Sequence, residues 1–439
     1  MPRLLTSLFF ALVFSSGSAS ACPDLSPYYA NDNTDWTVLA EQLGGLQSEC
    51  LQSAEFFALF GAAQLNSGIS AEAAESLERA LLLEPDNGAA QIDYAEALFQ
   101  QGQIFPALEL NEQLLQRVDL PANLQPLLQE RQQTWQGLTS QLGFQADFLA
   151  GYDSNLNGAP DPGQITLTLS GEPVILDLNP EFRAISGPYL NVRLSSRHRQ
   201  LAPEHQHNWT NQVRGRLSED TDSDLLQIDS RYSFMRPQRD KSWQLDAGIG
   251  GLFFGGNILF TATEGRVRYL GRRNGKCQPY AALAAQHQLF HDQSQLNAVE
   301  SKLSGGLSCP LEFISGTQVV SAELSLLGNA AIKTGRPGGH RRGWQFNADW
   351  QYLLPGSTFT AQFNHTELED REGYSPLLAG GAERWLSRSY VLLQYQKPLL
   401  NFGKSTTFVL NLFHQGQRSN IEIFRSNDST IEVGLSISF

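Results

Sequence analysis

The 439-residue chain has no apolar run long enough to cross a bilayer as a helix. Any passage through a membrane must therefore use strands. Cysteine is scarce, with four residues and no C-x-x-C pair, which removes the usual zinc and redox arrangements. Basic charge is short: 31 Lys and Arg stand against 45 Asp and Glu. An acidic chain is a poor nucleic-acid ligand, so no nucleic-acid partner is expected. There is no G-x-S-x-G, no phosphate loop and no H-E-x-x-H, and no Ser, Asp and His set assembles into a catalytic site. The histidine pairs His205/His207 and His287/His291 lack a completing ligand set. The chain is accordingly expected to be neither an enzyme nor a metalloprotein, and to carry no cofactor.

What is present begins with Met1–Ala21. Arg3, the apolar run Leu4–Phe14 and the small-residue site Ala19-Ser20-Ala21 read as a secretory signal peptide. Cys22 follows the cut directly, as in a lipoprotein, but Ala19 occupies the place where such signals usually carry Leu. In an exported chain four cysteines suggest disulfides, and their spacing favours Cys22–Cys50 and Cys277–Cys309.

The charge is unevenly spread. Residues 22–141 hold 17 acidic and 3 basic side chains, whereas 142–439 hold 28 and 27. The acidic segment repeats itself at an offset of 34 residues. Phe60-Gly61-Ala62-Ala63 aligns with Tyr94-Ala95-Glu96-Ala97, Gly68 with Gly102, and Ala73 with Ala107. This is the period of tetratricopeptide repeats, pairs of helices that bury their faces only by stacking. Flanking helices are expected over Asp35–Glu49 and Pro121–Leu142. Such arrays bind peptides in a concave groove, and the repeat geometry assigns Asn66, Glu96 and Gln100 to it.

After Leu142 the periodicity drops from helical spacing to two. The last residues, Ser429 to Phe439, put Ile431, Val433, Leu435, Ile437 and Phe439 on one face and Thr430, Glu432, Gly434, Ser436 and Ser438 on the other. Fourteen such segments can be marked, ten to fourteen residues long, with short and long connections alternating between them. That is the pattern of a transmembrane β-barrel with an oily exterior, a polar lumen, short turns at one end and long loops at the other. Asn411, Glu432 and Ser436 are assigned to the lumen. Strand-end aromatics, among them Trp243, Tyr352, Trp385 and Tyr390, are assigned to interfacial girdles. The segment 155–186 is left open between a plug and an outer loop. The expected fold is thus multidomain: signal peptide 1–21, an all-α tetratricopeptide-like domain 22–141, and a 14-strand antiparallel barrel 142–439.

The first strand ends in Tyr152-Asp153-Ser154-Asn155-Leu156-Asn157-Gly158-Ala159-Pro160. A short helical-repeat domain, this segment, and a fourteen-strand barrel ending in Phe together resemble the surface lipoprotein assembly modulator family. The segment's Tyr152, Asp153, Ser154, Asn155 and Asn157 carry the resemblance. It implies an outer-membrane translocator whose periplasmic repeats receive a client surface lipoprotein or related secreted protein. The terminal Phe439 resembles the signal read by the barrel assembly machinery. A polysaccharide-export porin with a tetratricopeptide scaffold, or a plain outer-membrane channel, remains an alternative.

Overall fold

A computed structural model describes residues 22–29, 34–237, 241–313, 316–399 and 405–439. The signal peptide expected over Met1–Ala21 lies outside the described residues. The chain divides into two compact units, one ending at Leu138 and the other running from Thr139 to Phe439.

The first unit is helical: α1 Trp36–Gly44, α2 Ala54–Asn66, α3 Ser70–Leu83, α4 Gly88–Gln100, α5 Ile104–Leu115 and α6 Gln125–Thr139. None is long and apolar enough to cross a membrane. The 34-residue offset is literal, since α2 and α4 begin at 54 and 88 and α3 and α5 at 70 and 104. Asp35, Ser53 and Asn87 cap the starts of α1, α2 and α4 by accepting from amides in the first turn. Gly68 and Gly102 hold the same left-handed conformation, φ +82° and +77°, at the turn between the helices of each pair. In both turns the next residue's amide closes back on the helix, Ile69 N to Leu-preceding Gln64 O and Gln103 N to Leu98 O, each at 2.9 Å. Phe56, Leu43, Leu77, Ala73 and Ala80 are fully buried or nearly so. Gly61 lets α3 approach α2: a Cβ there would sit 2.5 Å from Leu77 Cγ.

Where the second repeat departs from the first, the departures have partners. Asn111, at the place of Leu77, is fully buried and donates to Leu128 O at 3.0 Å and Gln132 Oε1 at 2.7 Å, fastening α5 to α6. Leu114, at the place of Ala80, is also buried. Cys22 is bonded to Cys50, which staples the segment before α1 to the start of the array. A sulfur in a disulfide has no valence left for a thioether-linked lipid, so this arrangement and Cys22 lipidation are mutually exclusive.

The second unit is a closed barrel of fourteen strands, each antiparallel to both neighbours. These are β1 Ser140–Asp153, β4 Gly187–Leu201, β5 Gln206–Ser218, β6 Leu225–Pro237, β7 Ser242–Phe254, β8 Asn257–Leu270, β9 Gln278–Phe290, β10 Ala298–Phe313, β11 Gly316–Ala331, β12 Arg341–Leu354, β13 Ser357–Gly373, β14 Glu383–Pro398, β15 Thr406–Ser419 and β16 Ser426–Ser438. β2 Gln164–Leu169 and β3 Glu172–Asp177 form a separate hairpin. The last expected helix is shorter than its sequence pattern suggested. Gln141 and Leu142 belong to β1, where they pair with Arg199 and His198 of β4, because the sheet ladder captures their backbone groups.

Alternation sorts the strands as the period of two requires. Leu194, Leu283, Leu303, Leu324, Leu326, Ile431 and Val433 are exposed on the outside, while Asn191, Glu323, Ser325, Asn364, Asn411, Glu432 and Ser436 are buried within. Outward ring pairs cluster near the short-turn ends: Trp243 with Tyr269, Trp350 with Tyr352, and Phe359 with Tyr395. An apolar band edged by aromatics around a polar interior is the build of an outer-membrane barrel. Tyr390 departs from the girdle expected for it. It pairs with the buried Asn364, and facing residues of an antiparallel pair share a side, so its ring points into the lumen.

Connections at one end span 202–205, 271–277 and 355–356, whereas those at the other include 154–186, 332–340 and 374–382. The segment 155–186 is neither a bare loop nor a buried plug. Ser170 and Gly171, both at positive φ, turn the β2–β3 hairpin. Its β2 edge is tied to the other long connections: Thr168 N donates to Leu377 O at 2.9 Å and Thr166 N to Glu422 Oε2 at 2.7 Å. Ile175 and Leu176 stay exposed.

The barrel closes where β1 meets β16, with Gln145 to Asp153 opposite Ser438 to Thr430. Phe439 extends this ladder by exchanging backbone hydrogen bonds with Phe144 at 2.8 and 3.0 Å, and the two rings stack at 6.1 Å. Cys277 and Cys309 are joined at the short-turn end, where Ser308 pairs with Gln278.

Candidate functional sites: the barrel interior and the repeat face

The inner wall is built from alternate residues, so its chemistry can be read strand by strand. Around the closure seam, Glu432 on β16 accepts from Tyr189 Oη at 2.8 Å, Asn191 Nδ2 at 2.7 Å and Asn411 Nδ2 at 2.9 Å. These donors come from β4 on one side and β15 on the other. Between Glu432 and β4 stands Gly151 of β1, Glu432's direct ladder partner. A Cβ at Gly151 would lie 2.7 Å from Tyr189 Cζ, so the glycine is what lets the Tyr189 ring reach across β1. Gln145 donates to Ser436 Oγ at 3.1 Å and to Asp147 Oδ1 at 2.9 Å in the same seam. The structure therefore brings together Asn411, Glu432 and Ser436 on the inner wall and gives Glu432 the central place.

The segment Tyr152–Pro160 is a polar knot at the long-loop end. Asp153 pairs with Arg216 of β5 at 2.8 Å and accepts from its neighbour Asn155 N at 2.7 Å. Asn155 spans Ala159 through both amide atoms, at 2.9 Å each, and reaches Asn427 O at 3.3 Å. Asn157 donates to Arg183 O and accepts from Ile185 N. Ser154 Oγ accepts from Ser429 N at 2.8 Å. Tyr152 is exposed on the outer face and donates to Ser186 Oγ at 3.2 Å. Each of the five residues is thus committed to shaping the exit of β1 and the return into β4.

Two further ionic clusters lie inside. Glu323 of β11 meets Lys302 at 3.1 Å, Arg266 at 3.2 Å and Tyr280 Oη at 3.1 Å. Near the long-loop end, Asp370 is held by Arg384 through two contacts at 3.1 and 3.2 Å and by Arg341 at 3.1 Å. The Arg384 guanidinium lies over the rings of Tyr374 and Phe424, 4.4 and 4.3 Å from their centroids. Neither cluster was found from the sequence. Each lies across consecutive strands, β8 to β11 for the first and β12 to β14 for the second, and only the strand register shows which inward charges meet.

In the helical unit, Asn66 and Gln100 occupy the same place in successive repeats, at the ends of α2 and α4. Both are exposed. Asn66 Nδ2 bonds to Ala62 O of its own helix at 2.8 Å. Glu96 is less free: Arg131 of α6 pairs with it at 3.3 Å and Gln100 donates to it at 3.3 Å. Arg131 also lies 5.3 Å from the centroid of Trp135, which stacks on Phe99.

One turn before Glu96, Asp93 is pushed up to about 6, chiefly by burial and partly by Glu96, with Arg131 opposing. Its folded value lies above its unfolded one, so the folded unit binds a proton more tightly than the unfolded chain between about pH 4 and 6. Stability is therefore highest below that window and falls as pH rises through it. Asp93→Asn should stabilise the helical unit at pH 7 by about 1–3 kcal/mol and flatten this dependence. The measurement is thermal melting of the full chain followed by its helical circular-dichroism signal at pH 5 and 7. An unchanged pH dependence in the variant contradicts the assignment.

Among the described residues no group of three or more His, Cys, Asp or Glu side chains is arranged to hold a metal ion. His207 Nδ1 instead lies 2.7 Å from Tyr232 Oη, and His291 falls beyond the end of β9, 3.2 Å from Thr261 Oγ1.

A family model described as tetratricopeptide repeat matches residues 68–130. No curated protein sequence matches the chain. Among solved structures, the chain is similar to an anion-selective porin from Comamonas acidovorans, at 11% identity over 68% of this chain and 99% of that one, with a TM-score of 0.36. It is similar to a FadL homologue from Pseudomonas aeruginosa, at 10% identity over 69% and 90%, with a TM-score of 0.38. A BenF-like porin from Pseudomonas fluorescens Pf-5 matches at 8% identity over 68% and 99%, with a TM-score of 0.33. Likeness at this level says nothing about what this barrel carries.

Proposed function

We propose that the protein is an outer-membrane translocator that helps deliver surface lipoproteins or related secreted proteins to the cell surface. The observation that carries this reading is the joining, in one chain, of a tetratricopeptide array to a closed barrel with a polar interior. A repeat array has no chemistry of its own and serves to hold another chain. On this reading the helical unit and the short turns face the periplasm, and Asn66, Glu96 and Gln100 contribute to the client-binding face. The long connections with the β2–β3 hairpin face outward. Phe439, exposed and stacked on Phe144, would present the C-terminal strand to the barrel assembly machinery before the seam closes. Knotted polar residues from Tyr152 to Asn157 shape the first outward loop and need not touch the client.

A second reading, a polysaccharide-export porin, is favoured by the amide-rich wall of β12 to β15 described below. Surface display separates the two. Deletion of the gene followed by protease shaving of intact cells should protect at least one lipoprotein that wild-type cells expose. Equal shaving of every outer-membrane lipoprotein in both strains overturns the translocator reading.

A further inference from the structure

The inner wall is chemically lopsided. From β4 to β8 its inward positions are heavily charged, including Arg193, Arg214, Arg216, Asp229, Arg231 and Arg266. From β12 to β15 the inward charges are fewer and amides are the commonest side chains. Tyr390 stands at the middle of that arc and separates two recesses. One, of about 320 Å³, is lined by Asn347, Gln362 and Tyr280 and by the charged Arg268, Glu323 and Asp349. The second, of about 210 Å³, is lined by Gln345, Asn364, Gln415 and Gln417 among others. Tyr390 pairs directly with Gln415 in the β14–β15 ladder, and its ring leans on Phe413 with centroids 5.8 Å apart.

Much of the arc is self-satisfied. Asn364 donates to Asn347, Gln394 to Asn411 at 3.0 Å, and Arg388 is bound to Gln417 Oε1 at 2.7 Å. The Tyr390 hydroxyl and the amides of Gln362 and Gln415 are different. None has a side-chain hydrogen bond to another described residue, and one amide lies in each recess beside the ring. We propose that this arc is a binding site for an uncharged oligosaccharide, with Tyr390 as the stacking platform and Gln362 and Gln415 as its hydrogen-bonding flanks.

The chemistry fits that class. A sugar hydroxyl both donates and accepts, and so does an amide, so each glutamine can satisfy either role of a hydroxyl. A charged ligand would find the neighbouring charges already engaged: Arg388 by Gln417, Glu323 by Lys302 and Arg266, Asp370 by Arg384 and Arg341, and Arg268 over the Tyr280 ring. An extended polypeptide needs a row of pockets for alternate side chains, whereas this arc offers two recesses about a single ring. The inference does not rest on the translocator reading, because sugar binding and lipoprotein display are measured separately.

The test is equilibrium dialysis of the full-length protein, in a detergent without a sugar headgroup, against labelled maltohexaose. Saturable binding is expected. Tyr390→Ala should weaken it about tenfold, and Tyr390→Phe, which keeps the platform, far less. Gln415→Leu serves as the second weakening variant if Tyr390→Ala fails to give the folded, heat-modifiable band on a gel. No saturable binding overturns the proposal. So does binding that is unchanged in the folded variants, or maltohexaose displaced by an uncharged Gly/Ser/Gln peptide of similar length, which would make the arc a polypeptide track.

Discussion

Glu432→Ala should lower the melting temperature of the barrel by about 5 °C or more, corresponding to roughly 2–4 kcal/mol. The expectation follows from where its three donors originate. Tyr189 and Asn191 reach it from β4 and Asn411 from β15, so one carboxylate connects strands on both sides of β1 and β16. Truncation leaves two amide donors and a phenol facing a vacant space, each costing more than the mean value of a hydrogen bond. Lumen water can recover part of that loss, which keeps the figure below the sum of three fully buried orphans. Glu432→Gln should cost less, because one amide oxygen can still accept while its NH₂ meets other donors. The loss of the folded, fast-migrating gel band on heating reads the effect. Identical melting of Glu432→Ala and wild type would mean that backbone pairing alone holds the seam.

Gly61→Leu should unfold the helical unit while sparing the barrel. The first side-chain atom would stand 2.5 Å from Leu77 Cγ and 3.2 Å from Ala73 O. Leu77 is fully buried, and Ala73 O belongs to the α3 backbone, so neither can step aside without parting α2 from α3. Overpacking of this kind costs about 1–3 kcal/mol or more, a large share of the 5–15 kcal/mol that holds a domain together. Gly137→Ala in α6 provides the contrast. A Cβ there meets nothing within 4 Å, and replacing a helical glycine by alanine should stabilise by about 0.5–1 kcal/mol. Helical circular dichroism of the two variants should move in opposite directions on heating. A native helical signal in Gly61→Leu would refute the tight α2–α3 packing.

Both kinds of repeating structure were readable because a period enforces them. A barrel strand cannot change its parity without putting charge into lipid, so Ile431 and Glu432 declare their sides in the sequence alone. The helical offset of 34 was equally plain, because Gly68 and Gly102 must each turn the chain at positive φ. What failed to show were meetings between distant positions. Arg131 reaches Glu96 from a helix that carries no repeat signature, so the residue assigned to an open groove is partly occupied. The β2–β3 hairpin went unread although Ile165, Leu167 and Leu169 alternate with Thr166 and Thr168, because an outer loop is not required to contain strands. Tyr390 shows the opposite fault: its side was legible by parity from Val391 and Leu393, yet its aromatic character suggested a girdle. The pairing Cys277–Cys309 was legible because two positions at one end of an antiparallel hairpin must face each other.

The central claim is that the repeat array and the barrel act as one device in moving a client outward. Its most direct test is protease shaving of intact cells lacking the gene and complemented with either the wild-type chain or Gly61→Leu, both verified for a folded barrel. The proposal predicts that the wild-type chain restores surface exposure of the client lipoprotein and that Gly61→Leu does not. Full restoration by a variant whose helical unit has melted would contradict it.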